Sequence, residues 1–222
     1  MSYWDLAYQS GVVPWDPGPY DGHLPSVIER HAVGPCRVVD IGCGTGGSLI
    51  WLAGMGYRCT GIDGAPAAIR QAQSKSQETA ARIEWLVGSF PEDFPPRILP
   101  DRSFDLVIDR GWFHLYTGRG ERASVLDGIS RVLAEGGLWY SLIAGKGGER
   151  SFSGPPRWSE SDIRSVVSER FEIVELRSSV FTPGEKGSMP AWMCVAKKAR
   201  DGASAAGAPA AARSPRVRRR RP

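Results

Sequence analysis

Apolar and polar positions along this chain follow two alternating periods. Short apolar runs bounded by turn residues read as buried strands at 37–41 (RVVDI), 58–63 (RCTGID), 83–88 (IEWLVG), 104–109 (FDLVID), 137–144 (GLWYSLIA), 171–178 (FEIVELRS) and 191–198 (AWMCVAKK). Helix-length stretches lie between them at about 47–55, 66–81, 119–134 and 159–169. Val125, Ile129, Val132 and Leu133 form an apolar stripe at helical spacing, and Gly136-Gly137 is expected to stop that helix. Pro66 suits a first helical turn, where its missing N–H costs nothing. Ser159 with Asp162 three residues on resembles a capping box.

Strands alternating with helices predict an α/β fold, a Rossmann-like doubly wound sheet of seven strands covered on both faces. The segment joining the last two strands is too short for a crossover helix, so they are expected to pair antiparallel. The sheet is then mostly parallel with an antiparallel last strand. Residues 1–34, rich in aromatics, glycine and proline, read as an ordered arm or lid with a first helix. Residues 35–198 carry the α/β domain. Residues 199–222 have no periodicity and almost no large apolar side chain, and read as a disordered Ala/Pro/Arg-rich tail.

Charge changes the picture only once that tail is set aside. The formal net charge is +4, but seven arginines and one aspartate lie from Arg200 onward. The preceding part holds 21 basic and 23 acidic residues, which gives no reason to expect nucleic acid. The arginine-rich end reads first as a solvated terminus, with nucleic acid or an anionic lipid surface as the alternative partner.

The N-terminus has no basic-then-apolar leader pattern, and no apolar run approaches membrane-spanning length. Cys36, Cys43, Cys59 and Cys194 show neither CxxC nor metal-ligand spacing, and the three histidines form no metal set. The expectation is a cytoplasmic protein with reduced cysteines and no metal; its oligomeric state is left open.

The strongest chemical signal is VVDIGCGTGGSLIWLAGMGYRCTGID, residues 38–63. A strand runs into a glycine-rich turn that opens a helix, and the second strand ends in Asp63. Gly42, Gly44 and Gly46 lack a Cβ, so the backbone can turn sharply and press against a ligand. An acidic residue ending the second strand is placed to accept hydrogen bonds from ribose hydroxyls. Nicotinamide dinucleotides are one cofactor class bound this way, through G-x-G-x-x-G; here the spacing is D-x-G-x-G-x-G from Asp40 to Gly46.

That spacing resembles the first motif of the class I S-adenosylmethionine-dependent methyltransferases. The resemblance spans about residues 35 to 198 and includes Asp63, FDLVID as fourth strand, RVLAEGG before the fifth, and the terminal hairpin. It implies S-adenosylmethionine as cofactor and S-adenosylhomocysteine as product. It implies that Asp40 and the turn Gly42, Cys43, Gly44 and Gly46 face the methionine part, with Asp63 and Gly64 at the ribose. Family members often carry an acidic residue after the third strand to accept from the adenine amine. Here Ser89 stands there with Phe90 beside it, a hydrogen-bond acceptor and a ring for adenine. Asp109 ends the fourth strand, beside the first in this fold.

Asp109 opens DRGWFHLY, residues 109–116, with a Trp, a Phe, a His and a Tyr where strand-end turns are usually small and polar. In open α/β sheets ligands sit beyond the strand C-termini at the switch point. Trp112 and Phe113 are candidates to wall an apolar acceptor pocket, and His114 to receive or orient a proton. Each has a competing structural reading: the two rings as core, and the histidine bonded to backbone. His23 and His31 read as structural.

The arm segment YWDLAYQSGVVPWDPG is similar to the lid of small-molecule methyltransferases for thiols, thiopurines and tellurite, and for small phenols and heterocycles. It implies that Trp15 closes over the cofactor, with Tyr3, Trp4, Tyr8 and Tyr20 adding to the lid and Tyr20 to the acceptor pocket. The loop 145–158 and the hairpin tip near Met189 are further rim candidates.

The expected function is therefore methyl transfer to a small-molecule acceptor, either a thiol-like soft nucleophile or a phenol or N-heterocycle. The alternatives are a catalytically silent S-adenosylmethionine-binding protein and a nicotinamide-dependent oxidoreductase.

Overall fold

The computed structural model describes residues 2–16, 18–79, 82–146, 154–181 and 189–198. Residues 199–222, the hairpin tip at 182–188 and 147–153 of the 145–158 loop lie outside the described residues.

Seven strands form one sheet: β1 (Arg37–Ile41), β2 (Arg58–Asp63), β3 (Ile83–Val87), β4 (Phe104–Arg110), β5 (Leu133–Ala144), β6 (Phe171–Phe181) and β7 (Met189–Lys198). Their order is β3-β2-β1-β4-β5-β7-β6. The inner pairings are parallel, and β7 runs antiparallel to both β5 and β6. This is the expected doubly wound architecture, with its switch point between β1 and β4.

The pleat divides the core. Val38, Leu106, Ile108, Tyr140 and Leu142 pack with α2 (Leu24–Arg30) and α3 (Gly47–Gly54) on one face. Val39, Val107, Trp139 and Ile143 pack with α5 (Arg119–Val132) and α6 (Glu160–Val167) on the other. Residues next to each other in one strand thus serve opposite faces, so the strands read as continuous apolar runs.

The capping box forms as expected. Ser159 Oγ accepts from the Asp162 N–H at 3.2 Å, and the Asp162 carboxylate accepts from the Ser159 N–H at 2.8 Å.

One expectation fails at Gly136-Gly137. Helix α5 ends at Val132, and Leu133 already pairs with Phe104 at the start of β5. The glycines lie inside the strand, where the register shifts between Phe104 and Leu106 and Gly136 takes φ +72°. They absorb a bulge rather than stop a helix.

The arm contains a helix, α1 (Tyr3–Ser10), capped by the Ser2 hydroxyl and ended by Gly11. It packs on α4 (Pro66–Glu78), where Tyr8 and the half-buried Val13 and Trp15 meet Ala65, Ala67 and Ala68. The buried Asp5 carboxylate accepts from the Ala67 N–H at 2.8 Å, in the first turn of α4.

Candidate active site

The turn after β1 is pinned to β2, because the N–H groups of Gly42 and Cys43 both donate to the Ile62 carbonyl, at 2.8 and 3.0 Å. Gly44 takes φ +55°, in the left-handed region. A Cβ there would lie 2.7 Å from the Tyr8 hydroxyl, and one on Gly42 2.8 Å from the Trp112 ring. The glycines therefore let both the arm and the turn after β4 close on the loop.

Asp63 ties the turn to the next helix. One carboxylate oxygen accepts from Gly44 N–H at 2.9 Å and the other from Ala65 N–H at 2.8 Å. Burial raises its pKa, and those two hydrogen bonds pull it back. Asp40 is buried and lines the cavity at the turn, with no hydrogen-bond donor among the described residues. Its pKa is pushed well up by burial and then by Asp109, Asp21 and Asp63; Arg110 opposes the rise.

The arm covers this loop. Trp15 Nε1 donates to the Tyr8 hydroxyl at 3.1 Å, and Thr45 donates to the Asp16 carboxylate at 2.7 Å. The Gly18 and Pro19 carbonyls pass so close to Gly47 that no side chain fits there. Asp21 is wholly buried and accepts from the Tyr140 hydroxyl. Tyr20 stacks on Trp51 of α3, with centroids 4.8 Å apart. The remaining cavity is only about 50 Å³, lined by Tyr8, Trp15, Asp16, Asp40, residues 42–48 and Arg110. Small-molecule pockets measure ~300–1,000 Å³. A larger open groove of about 940 Å³ lies at the N-terminal ends of β1 to β4, including Arg37, Arg58 and Phe104. That is the wrong end of a parallel sheet for the cofactor.

The turn after β4 separates its aromatic residues. Asp109 is fully buried, and its carboxylate accepts from the Phe113 N–H at 2.9 Å and from Trp139 Nε1 at 3.1 Å. Burial pushes it up to about 6 against those hydrogen bonds. Asp109 thus shapes the 3₁₀ turn Phe113–Leu115 from inside. Phe113 is wholly buried and meets Trp139 edge-on at 5.0 Å, placing it in the core. His114 is 3% exposed. Its Nδ1 accepts from the Ala144 N–H at 3.1 Å, and burial lowers its pKa to about 4. The half-buried Trp112 remains at the glycine turn, packed against Tyr116 at 4.8 Å and Phe90 at 6.1 Å.

Beyond β2 and β3, a Cβ on Gly64 would approach Ser89 Oγ to 3.9 Å, so those two turns adjoin. Ser89 is exposed and donates its N–H to Asp93 at 2.8 Å. Phe90 is 2% exposed and belongs to the core beneath Trp112. Cys43 is half-buried, with its thiol pushed well up by burial. His23 Nε2 lies 2.9 Å from the Val180 carbonyl, and His31 pairs with Glu175 at 2.7 Å.

The structure thus brings Trp15, Asp40, the glycine turn and Trp112 together, and turns Phe113, His114 and Phe90 inward. Sequence reasoning did not assign Asp16, Asp21, Thr45 or Arg110. Arg110 stood in the quoted DRGWFHLY, but only the fold shows it meeting the arm. The donor set fits S-adenosylmethionine in its chemistry: the buried carboxylates of Asp40 and Asp63 at the turn suit its cationic groups and its ribose hydroxyls. Among the described residues no cluster suits a metal ion, and no helix is long and apolar enough to cross a membrane.

The chain is similar to known methyltransferases. The family profile described as a methyltransferase domain matches residues 38–137. The chain is 26% identical over 164 residues to the 2-heptyl-1-hydroxyquinolin-4(1H)-one methyltransferase of Mycobacteroides abscessus, covering 73% of this chain and 70% of that one. It is 24% identical over 187 residues to "Probable thiol methyltransferase 2" of Arabidopsis thaliana, covering 84% and 80%. Its fold superposes with a TM-score of 0.69 on the Burkholderia thailandensis 1,6-didemethyltoxoflavin-N1-methyltransferase, whose structure holds its substrate and S-adenosylhomocysteine. Identity there is 18%, with 87% of this chain and 84% of that one covered. The chain belongs to the class I S-adenosylmethionine-dependent methyltransferases.

Proposed function

We propose that this methyltransferase acts on a small, partly apolar acceptor whose nucleophilic atom is ionised or intrinsically nucleophilic near neutral pH. Thiols and acidic hydroxyl or N–H groups of heteroaromatic compounds meet that description.

The observation that carries this reading is where His114 sits. It is buried, bonded to backbone, and lowered to about 4. A useful general base has a pKa near the working pH. Asp109, at about 6, is enclosed behind the turn that it shapes. The acceptor therefore supplies its own nucleophile. A thiol, with a free pKa of ~8.5, does so readily. The relatives named for a thiol and for a 1-hydroxyquinolinone support this class.

S-adenosylmethionine supplies a methyl carbon made electrophilic by its sulfonium. The chain's own residues bind, orient and exclude water. Asp40 and Asp63 offer carboxylates to the cofactor's ammonium and ribose hydroxyls. Trp112 forms the wall at the glycine turn, and the arm seals the site through Tyr8, Trp15 and Asp16. Holding two reactants in line lowers a barrier by as much as ~7–11 kcal/mol. The acceptor's lone pair forms the new bond to the methyl carbon while the C–S bonding pair stays on sulfur. An anionic acceptor then leaves as a neutral methylated product with no proton to place.

The test is S-adenosylhomocysteine formation by purified protein with small thiols, acidic N-heteroaromatics and phenols, set against unactivated alcohols. Turnover confined to the acidic or soft acceptors is expected. Equal turnover of unactivated alcohols would overturn the reading.

A further inference from the structure

We infer that the open groove at the N-terminal ends of β1 to β4 is a second binding site, for a small amphipathic anion: a carboxylate, sulfonate or phosphate head on an apolar body. It lies at the opposite end of the sheet from the glycine turn.

Three arginines stand in a row along this groove. Arg37 of β1 and Arg58 of β2 are register partners. Cys59 is paired with Ile83, which puts Arg82 level with Arg58 on the β3 side. Side chains level with one another on neighbouring strands share a face, and all three arginines line the groove. Like charges side by side on adjacent strands oppose pairing. Arg37 is answered: its guanidinium donates to both oxygens of Asp105, at 3.0 Å each. Arg58 and Arg82 are exposed and have no ion pair among the described residues. Glu84, the one carboxylate among the residues lining the groove, accepts from Thr60 Oγ1 at 3.4 Å instead. Protection of an open edge accounts for a charge beside β3, the edge strand, but not for Arg58 on the strand inside it. Positive charges that the fold leaves unmatched mark a place that serves something other than stability.

The rest of the groove is apolar. Leu99 and Phe104 are buried beneath it, Ile83 stands beside them, and Ile98 is 46% exposed at the rim. The volume of about 940 Å³ is within the range of small-molecule pockets, ~300–1,000 Å³. The two halves together fix the occupant. A guanidinium fork matches the paired oxygens of a carboxylate or phosphate in shape and charge. The apolar wall favours an anion that carries a hydrocarbon body over a bare ion, because burying that body against Ile98 and Ile83 removes both surfaces from water. The arginine-rich end of this same chain has the wrong sign for the groove.

The test titrates octyl phosphate, and separately its two halves, octanol and inorganic phosphate, into the whole chain by calorimetry. The same titrations are run on the double variant Arg58→Ala with Arg82→Ala, and on Ile98→Asp. The arginine-rich end is identical in all three proteins, so the differences between them read the groove alone. Octyl phosphate should bind the wild-type chain with a Kd below about 1 mM, at least about tenfold more tightly than either half. Removing both arginines should weaken it at least about tenfold, and Ile98→Asp, which sets a carboxylate at the rim, should weaken it as well. S-adenosylhomocysteine affinity is the folding control and should be the same in all three. Absence of octyl phosphate binding to the wild-type chain, or equal affinity in the double variant, would overturn the inference. Inorganic phosphate bound as tightly as octyl phosphate would overturn it too, because the apolar wall would then contribute nothing. A single-stranded DNA oligomer held through the same two arginines, with octyl phosphate ignored, would overturn it in favour of nucleic acid.

Discussion

The hydroxyl of Tyr8 lies 2.7 Å from the point that a β-carbon on Gly44 would occupy. The arm and the glycine turn are thus fitted to one another, and a single methyl group separates a closed site from a collision. Gly44→Ala should weaken S-adenosylhomocysteine binding at least about tenfold, and its φ of +55° adds ~1–2 kcal/mol of strain. The next atom of Tyr8 lies at 3.7 Å, an ordinary contact. Adding Tyr8→Phe to Gly44→Ala should therefore recover part of the binding and leave only the backbone strain. Calorimetry and urea unfolding check the two parts separately.

Trp15 fastens the arm from the other side, through Tyr8 and through its carbonyl to Arg110. Trp15→Ala should speed S-adenosylhomocysteine release and raise its dissociation constant about tenfold, the worth of one well-packed hydrogen-bonded anchor. Stopped-flow displacement measures the release rate. An unchanged rate would mean that the arm does not retain the ligand.

Asp109 and His114 oppose each other in their effect on stability. Asp109 binds its proton more tightly when folded, so its contribution falls as pH rises from about 4 to 6. His114 binds its proton less tightly when folded, so its contribution grows from about pH 4 to 6.5. Each amounts to about 3 kcal/mol, and they nearly cancel in the wild-type chain. Relative to wild type, Asp109→Asn should gain stability as pH rises through this window, and His114→Gln should lose it. Urea unfolding at pH 4 to 7 reads both slopes.

Ser159 serves as a control remote from the glycine turn. Ser159→Ala removes the N-cap of α6 and should cost about 1 kcal/mol, with cofactor affinity unchanged.

The strands were legible because runs such as 104–109 pack on both faces and carry few polar residues. Gly136-Gly137 misled because the chain passes from α5 into β5 with no loop, and the glycines serve the bulge. The arm reads as holding a first helix but without bounds; the structure places α1 (Tyr3–Ser10) and α2 (Leu24–Arg30) within it. Side-chain direction was the least legible feature. DRGWFHLY shows which chemical groups are present, but the 3₁₀ turn decides which enter the core. Asp109 draws Phe113 inward and leaves Trp112 at the glycine turn, and the Ala144 N–H claims His114. Such choices rest on contacts between β4 and β5 that no spacing rule encodes. The glycine turn after β1 was readable because glycine is one of few residues that can hold those φ values.

The most direct measurement is the pH dependence of kcat/KM for turned-over acceptors of different acidity, in wild type and His114→Gln. A midpoint that tracks each acceptor's own pKa, and persists in the variant, is the expected result. One midpoint shared by all acceptors, and lost with His114, would contradict the reading and make that imidazole the base.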